Sequence, residues 1–183
     1  MNHISSDIIL KEINLSDSKK LYELMFEIYP PVYKHLWLDK GESYLNELYS
    51  KDNLKNELQN QNSRYYFVVS NNINIGILRI LLNEPINTIE NGLGIKIHRI
   101  YLHPSIHGKG FGKRIFNWIE TEFGKMDYSY FWLEAMDTQD SAIKFYEKMG
   151  FSIVSSFKLD ANLMLENYKG MYRMVKEVSK EKK

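Results

Sequence analysis

The 183-residue sequence has no cysteine, which excludes disulfides, thiolate zinc sites and thiol nucleophiles together. An excess of one charge is also missing. Twenty-four Lys and Arg stand against 23 Asp and Glu, a net +1, and no basic run is longer than Lys180-Glu181-Lys182-Lys183, so nothing draws the chain to nucleic acid. The N-terminus, Met1 to Asp7, has no basic region followed by a long apolar run, and the apolar stretches are strand-sized. Secretion and membrane spanning are therefore disfavoured and a cytoplasmic location is expected. What is present is buriable surface: 44% hydrophobic residues, with 9 Phe, 3 Trp and 13 Tyr. That composition belongs to a folded globular chain. The length and the lack of repeats or linkers predict one domain over 1–183, with its core over 6–178.

The pattern predicts a mixed α/β order. A strand over 7–14 leads to a capping signal at Ser16-Asp17 and a helix carrying Leu21, Leu24, Met25 and Ile28, closed by Pro30-Pro31. Further helical turns follow over 36–61. Strands over 65–70 and 73–82 flank an Asn71-Asn72 turn, and 83–94 reads as a loop. A third strand, 95–102, stops at His103-Pro104 before Gly108-Lys109-Gly110-Phe111-Gly112, and a helix starts at once, with Phe111, Ile115, Phe116, Ile119 and Phe123 on one face. A strand over 130–135, a helix over 139–149 capped by Gly150, and strands over 151–159 and 171–178 complete the chain.

Three alternating glycines between a strand and a helix let the backbone approach a ligand closely, and the free amides of a helix start favour an anion. A Walker loop requires Ser or Thr after Gly-Lys, but Arg114 follows Gly112-Lys113. A dinucleotide fingerprint requires GxGxxG directly after the strand, whereas the spacing here is GxGxG and five residues intervene. Glu134, at the end of the next strand, mimics a ribose-binding acid, which keeps a dinucleotide site open as the alternative.

The run from Arg99 through His107-Gly108-Lys109-Gly110-Phe111-Gly112-Lys113 resembles motif A of the GCN5-related N-acetyltransferases. Gln139-Asp140-Ser141-Ala142-Ile143-Lys144-Phe145-Tyr146-Glu147-Lys148-Met149-Gly150-Phe151 is similar to their motif B. His107 stands where the family usually has Gln or Arg, and Gln139 where it has Asn. The resemblance implies an α/β fold with a mostly antiparallel sheet flanked by helices, in which a splayed strand pair holds acetyl-CoA as cosubstrate without a metal. It implies Ile100, Tyr101 and Leu102 for pantetheine and thioester, His107, Gly108, Lys109, Gly110, Phe111, Gly112 and Lys113 for the pyrophosphate, and Gln139 and Lys148 as further cofactor contacts.

Acetyl transfer to an amine requires a neutral nucleophile, donors for a developing oxyanion and a proton for the departing thiolate. The resemblance assigns the proton to Tyr146, whose other reading is core packing. Where many relatives carry a strand glutamate, this chain has Lys96 and His98. His98 titrates near neutrality when unperturbed and is a candidate base. Glu134 aligns with the base of some protein-acetylating relatives and is the other.

The stretch over 21–58, with Tyr29, Tyr33, Trp37 and Tyr44, resembles bacterial spermidine and spermine acetyltransferases of the PaiA type. That likeness implies a polyamine or other small amine as acceptor, with Asp39, Glu42 and Glu47 available to a polycation. Protein N-terminal or lysine acetylation and a non-catalytic acyl-CoA-binding regulatory module are the alternatives. A homodimer is left open.

Overall fold

A computed structural model describes residues 1–89 and 92–178. The basic run at 180–183 and the centre of the predicted loop at 90–91 lie outside the described residues. The chain opens with β1 (Asn2–Ser5) and β2 (Ile8–Glu12), followed by α1 (Ser18–Tyr33), α2 (Glu42–Leu48) and α3 (Lys51–Gln59). Next come β3 (Ser63–Ser70), β4 (Ile73–Leu81), β5 (Gly94–Leu102), α4 (Phe111–Phe123), β6 (Tyr130–Met136), α5 (Asp140–Lys148), β7 (Ser152–Lys158) and β8 (Gly170–Glu177). The strands form one sheet in the order β1-β2-β3-β4-β5-β6-β8-β7. Every pairing is antiparallel except β5 with β6. The mixed, mostly antiparallel α/β fold is as the sequence implied.

Several local expectations change. The sheet begins at Asn2, ahead of the predicted core. Asn14, rather than Ser16 or Asp17, caps the turn before α1, accepting from the Ser16 amide at 3.0 Å while Asp17 reaches back to the Asn14 amide at 3.1 Å. Pro30 and Pro31 lie inside the last turn of α1 and do not end it before Tyr33. Their fixed φ is helical, and what they remove is the amide donor. The helical stretch over 36–61 divides because Ser50 caps α3 through the Asn53 amide at 3.1 Å.

Helices cover both faces of the sheet. Ile115, Phe116, Ile119 and Phe123 of α4 meet Leu78, Ile80, Ile95, Ile97 and Leu133 on one face. Leu21, Leu24, Met25 and Ile28 of α1, with Leu45 and Leu54, meet Phe67 and Ile77 on the other. These two larger cores, one on each face of the sheet, leave the strand geometry itself to create a cleft.

Candidate active site

Strands β5 and β6 pair only where Gly94, Ile95 and Lys96 face Tyr130, Phe131 and Trp132. Beyond that point they diverge into a wedge. The cause is local. Arg79 of β4 faces Arg99 and its neighbour Ile80 faces Ile97, so His98 is an extra residue without a partner on β4. Such a bulge bends its strand and increases its twist. It also shifts the alternation of side chains: Ile95 and Ile97, then Ile100 and Leu102, face the α4–α5 core, while Arg99 faces Glu57 of α3. Along 97–102 the backbone groups turned toward β6 are left for something other than a strand. The wedge encloses a cavity of about 130 Å³ whose walls include Tyr33, Ile100, Tyr101, Glu134, Gln139 and Tyr146.

The glycine loop lies at the end of β5. His107 Nε2 is 3.0 Å from the Leu102 carbonyl, which ties the loop back to the strand. Gly108 and Gly110 have φ of +73° and +78°, with nothing within 4 Å of where a Cβ would stand. Glycine is therefore required here by backbone conformation and leaves an open concavity. Gly112 does a different job: a Cβ there would meet the Phe145 ring at 3.3 Å, so it sets the approach of α4 to α5. Gly110 precedes α4 without a side-chain cap, and the first-turn amides of Phe111, Gly112 and Lys113 have no acceptor among the described residues. Unpartnered amides with a helix dipole behind them suit a pyrophosphate, so the residues present fit the diphosphate of coenzyme A. Lys109 and Lys113 are exposed beside them.

Of the other residues singled out in the sequence, Ile100, Tyr101, Gln139, His98, Glu134 and Tyr146 all border the wedge. Leu102 packs against the α4–α5 core, as does Phe111. Lys148 is exposed on the last turn of α5 and does not line the wedge. The acids expected to meet a polycation are elsewhere. Asp39 accepts from the Gly41 and Ser43 amides at 2.9 and 2.8 Å, and Glu42 and Glu47 are exposed on α2.

Tyr146 packs its ring against Phe116 and Phe145 while bordering the wedge, so core and site roles coincide in one side chain. Burial, with Tyr33 as the next contribution, pushes its phenol above the usual range. It is protonated at neutral pH and has a proton to donate. His98 changes role. Its Nδ1 lies 3.0 Å from Arg79 Nη1, and burial followed by the charges of Arg99, Arg79 and Lys96 lowers its pKa to about 2. A guanidinium can only donate, so His98 Nδ1 accepts from Arg79, and both burial and the neighbouring cations favour the neutral ring. Glu134 accepts from Lys96 Nζ at 2.8 Å and from Arg173 Nε at 3.3 Å.

A sequence profile of the acetyltransferase (GNAT) family matches residues 20–151. This chain belongs to that family. Among relatives, an uncharacterized N-acetyltransferase in the pepI 3′ region of Lactobacillus delbrueckii subsp. lactis is 27% identical over 109 residues, 60% of this chain. The match spans 63% of that relative's length. Among solved structures, the PaiA N-acetyltransferase of Thermoplasma acidophilum in complex with coenzyme A superposes with a TM-score of 0.69 at 21% identity, covering 93% of this chain and 98% of that one. An acetyltransferase of Salmonella typhimurium that modifies the N-terminal serine of ribosomal protein L7/L12 gives 0.73 at 16% identity, covering 97% and 98%. Both likenesses show the shared fold.

This GNAT chain also carries a charge cluster that sequence reasoning missed. Glu57 receives Arg99 Nη1 at 3.0 Å and Arg79 Nη1 at 2.9 Å, all three side chains being about nine-tenths buried. The signal was present for one of them: Arg79 interrupts the apolar run from Ile77 to Leu82, and a buried cation requires a partner. The partner of both arginines, 22 and 42 residues away in sequence, was not recognisable without the fold. Among the described residues no group of three or more His, Cys, Asp or Glu is placed to hold a metal. No described helix is long and apolar enough to cross a membrane.

Proposed function

We propose that this chain is an acetyl-CoA-dependent N-acetyltransferase acting on a small primary amine. The observation that carries the reading is the wedge: the free side of β5 lies open between a cradle of unpartnered amides at one end and a protonated tyrosine bordering the other wall. Acetyl-CoA would supply the activated acetyl thioester. Loop amides from Phe111 to Lys113 hold its diphosphate, and the unpaired edge of 97–102 aligns pantetheine as a further strand would align. Backbone N–H groups on that edge are donors to the carbonyl oxygen as it gains charge. The Tyr146 hydroxyl delivers the proton to sulfur.

The acceptor must be neutral when it attacks. A simple alkyl amine with a pKa of about 10.4 is neutral in roughly one molecule in a few thousand at pH 7. Glu134, the carboxylate bordering the wedge, takes that proton directly or through water. Protein N-terminal acetylation is the second reading, favoured by the likeness to the Salmonella enzyme. The PaiA-type likeness favours a polyamine instead. Thiol release from acetyl-CoA with spermidine, amino acids and short peptides separates these readings. In the same assay Tyr146→Phe should lower kcat by about 10- to 10⁴-fold while the Kd for acetyl-CoA, measured by calorimetry, stays within a factor of about two. Full kcat in a folded Tyr146→Phe variant would return this residue to packing alone.

A further inference from the structure

The charges beside the acceptor side of the wedge do not balance. Arg79, Lys96, Arg99 and Arg173 are hydrogen-bonded to Glu57 and Glu134, the charge of Glu84 also acts on Arg79, and His98 is neutral among them. The excess is one positive charge. The groups packed nearby do not cancel it: Glu27 is turned to solvent against His103 at 3.4 Å, and Asp137 and Glu166 are matched by Lys158 and Lys169. Such a wall repels an acceptor that brings several ammonium groups.

Within this set Arg173 differs from the others. Its Nε donates to Glu134 Oε1 at 3.3 Å, and its guanidinium carbon lies 4.1 Å from the centre of the Phe157 ring. These two contacts hold the plane of the group. Nη1 and Nη2 make no hydrogen bond among the described residues, and 29% of the side chain is exposed. The residue faces Glu134 across the β6–β8 ladder and is two positions beyond Met171; Glu134 and Met171 line the wedge, and Arg173 itself lies just outside that lining. Arg99, by contrast, places both its Nη groups on Glu57 and is 8% exposed. A guanidinium held in orientation with both terminal donors unused is a fork for a carboxylate.

We propose that Arg173 determines acceptor specificity by receiving a carboxylate carried on the same molecule as the reacting amine. The acceptor is then an amino acid or a peptide with an acidic group near its amine, not a polycation. This rests on the acetyltransferase reading and names the substrate class for it. The excess positive charge serves the same end chemically, because it disfavours the protonated form of the amine beside it and so favours the nucleophile.

The test uses the full chain and acceptors paired by charge: β-alanine with β-alaninamide, C-terminally amidated Ser-Asp with C-terminally amidated Ser-Asn, and spermidine alone. Thiol release should favour each carboxylate over its amide by roughly 10- to 100-fold in kcat/KM, mainly through KM, as expected for one charge-assisted pair. R173Q should bring that ratio near one, and R173K should retain part of it. A merely structural arginine would change the members of each pair alike. A wild-type enzyme that prefers the amides or spermidine, or a preference that survives R173Q, overturns the proposal. Should R173Q fail to fold by circular dichroism, R173K decides, because an undiminished ratio there is equally fatal. If no amine is acetylated although coenzyme A binds by calorimetry, the acetyltransferase reading fails and takes this proposal with it.

Discussion

At the scale of single residues, the chemistry of a side chain is set by what faces it. Sequence likeness placed His98 among candidate bases because imidazole titrates near neutrality. The structure puts it between buried cations, which together with burial favour its neutral form. A prediction follows with a definite sign. The folded pKa of about 2 lies below the ordinary 6.5, so between those values the unfolded chain binds a proton that the folded chain does not. Stability from this group is complete above pH 6.5 and falls as pH drops toward 2. His98→Gln keeps an acceptor for Arg79 and removes the titration. Urea unfolding between pH 7 and 5 should therefore show a shallower loss of stability in the variant, by up to about one proton in slope. The acidic limb of kcat/KM should be the same in both proteins. A limb that moves with the substitution would restore His98 as base.

At the scale of elements, the glycine loop and the helix behind it were legible because their requirements are local. Gly108 and Gly110 take positive φ, and α4 buries the face that its spacing marked. The bulge in β5 was not legible. It depends on register against β4, and nothing in the run from Ile95 to Leu102 signals that two consecutive residues will share a face. The prolines of α1 misled for the opposite reason: their fixed φ is itself helical, and the two donors they lack are lost only where the helix is about to end. The loop also yields a clean experiment. A Cβ at Gly110 has open space, so Gly110→Val strains only its own backbone and should cost about 1–3 kcal/mol, leaving a folded protein. Its branched side chain would occupy the concavity in front of the amides. Affinity for coenzyme A should fall by at least about 100-fold by calorimetry, with a native circular dichroism spectrum. Unchanged affinity in the folded variant would remove the diphosphate from this loop.

At the scale of the whole molecule, the wedge has two independent supports, and only one was readable in the chain. The motifs account for the side formed by β5, the glycine loop, α4 and α5. The other side depends on contacts between segments more than 100 residues apart. The Leu38 amide donates to the Leu163 carbonyl and the Leu165 amide to the Leu36 carbonyl, both at 2.9 Å, so Trp37 and Met164 form a short antiparallel bridge. Trp37 in turn donates from its indole to the Tyr29 hydroxyl at 2.9 Å, and Tyr29 borders the wedge. The connection between β7 and β8 thus positions the wall beside α1, on the acceptor side, while the glycine loop lies outside this set of contacts. Met164, 5% exposed, fills the bridge. Met164→Ala should destabilise the fold by about 2–5 kcal/mol, the range for truncating a buried methionine. Its functional effect should be one-sided: the acceptor KM rises severalfold while the Kd for coenzyme A stays within a factor of about two. Thermal unfolding, steady-state kinetics and calorimetry on the same preparation measure all three quantities. Equal weakening of acceptor and coenzyme would mean that the two sides of the wedge are held as one body, and the division drawn here between them would be wrong.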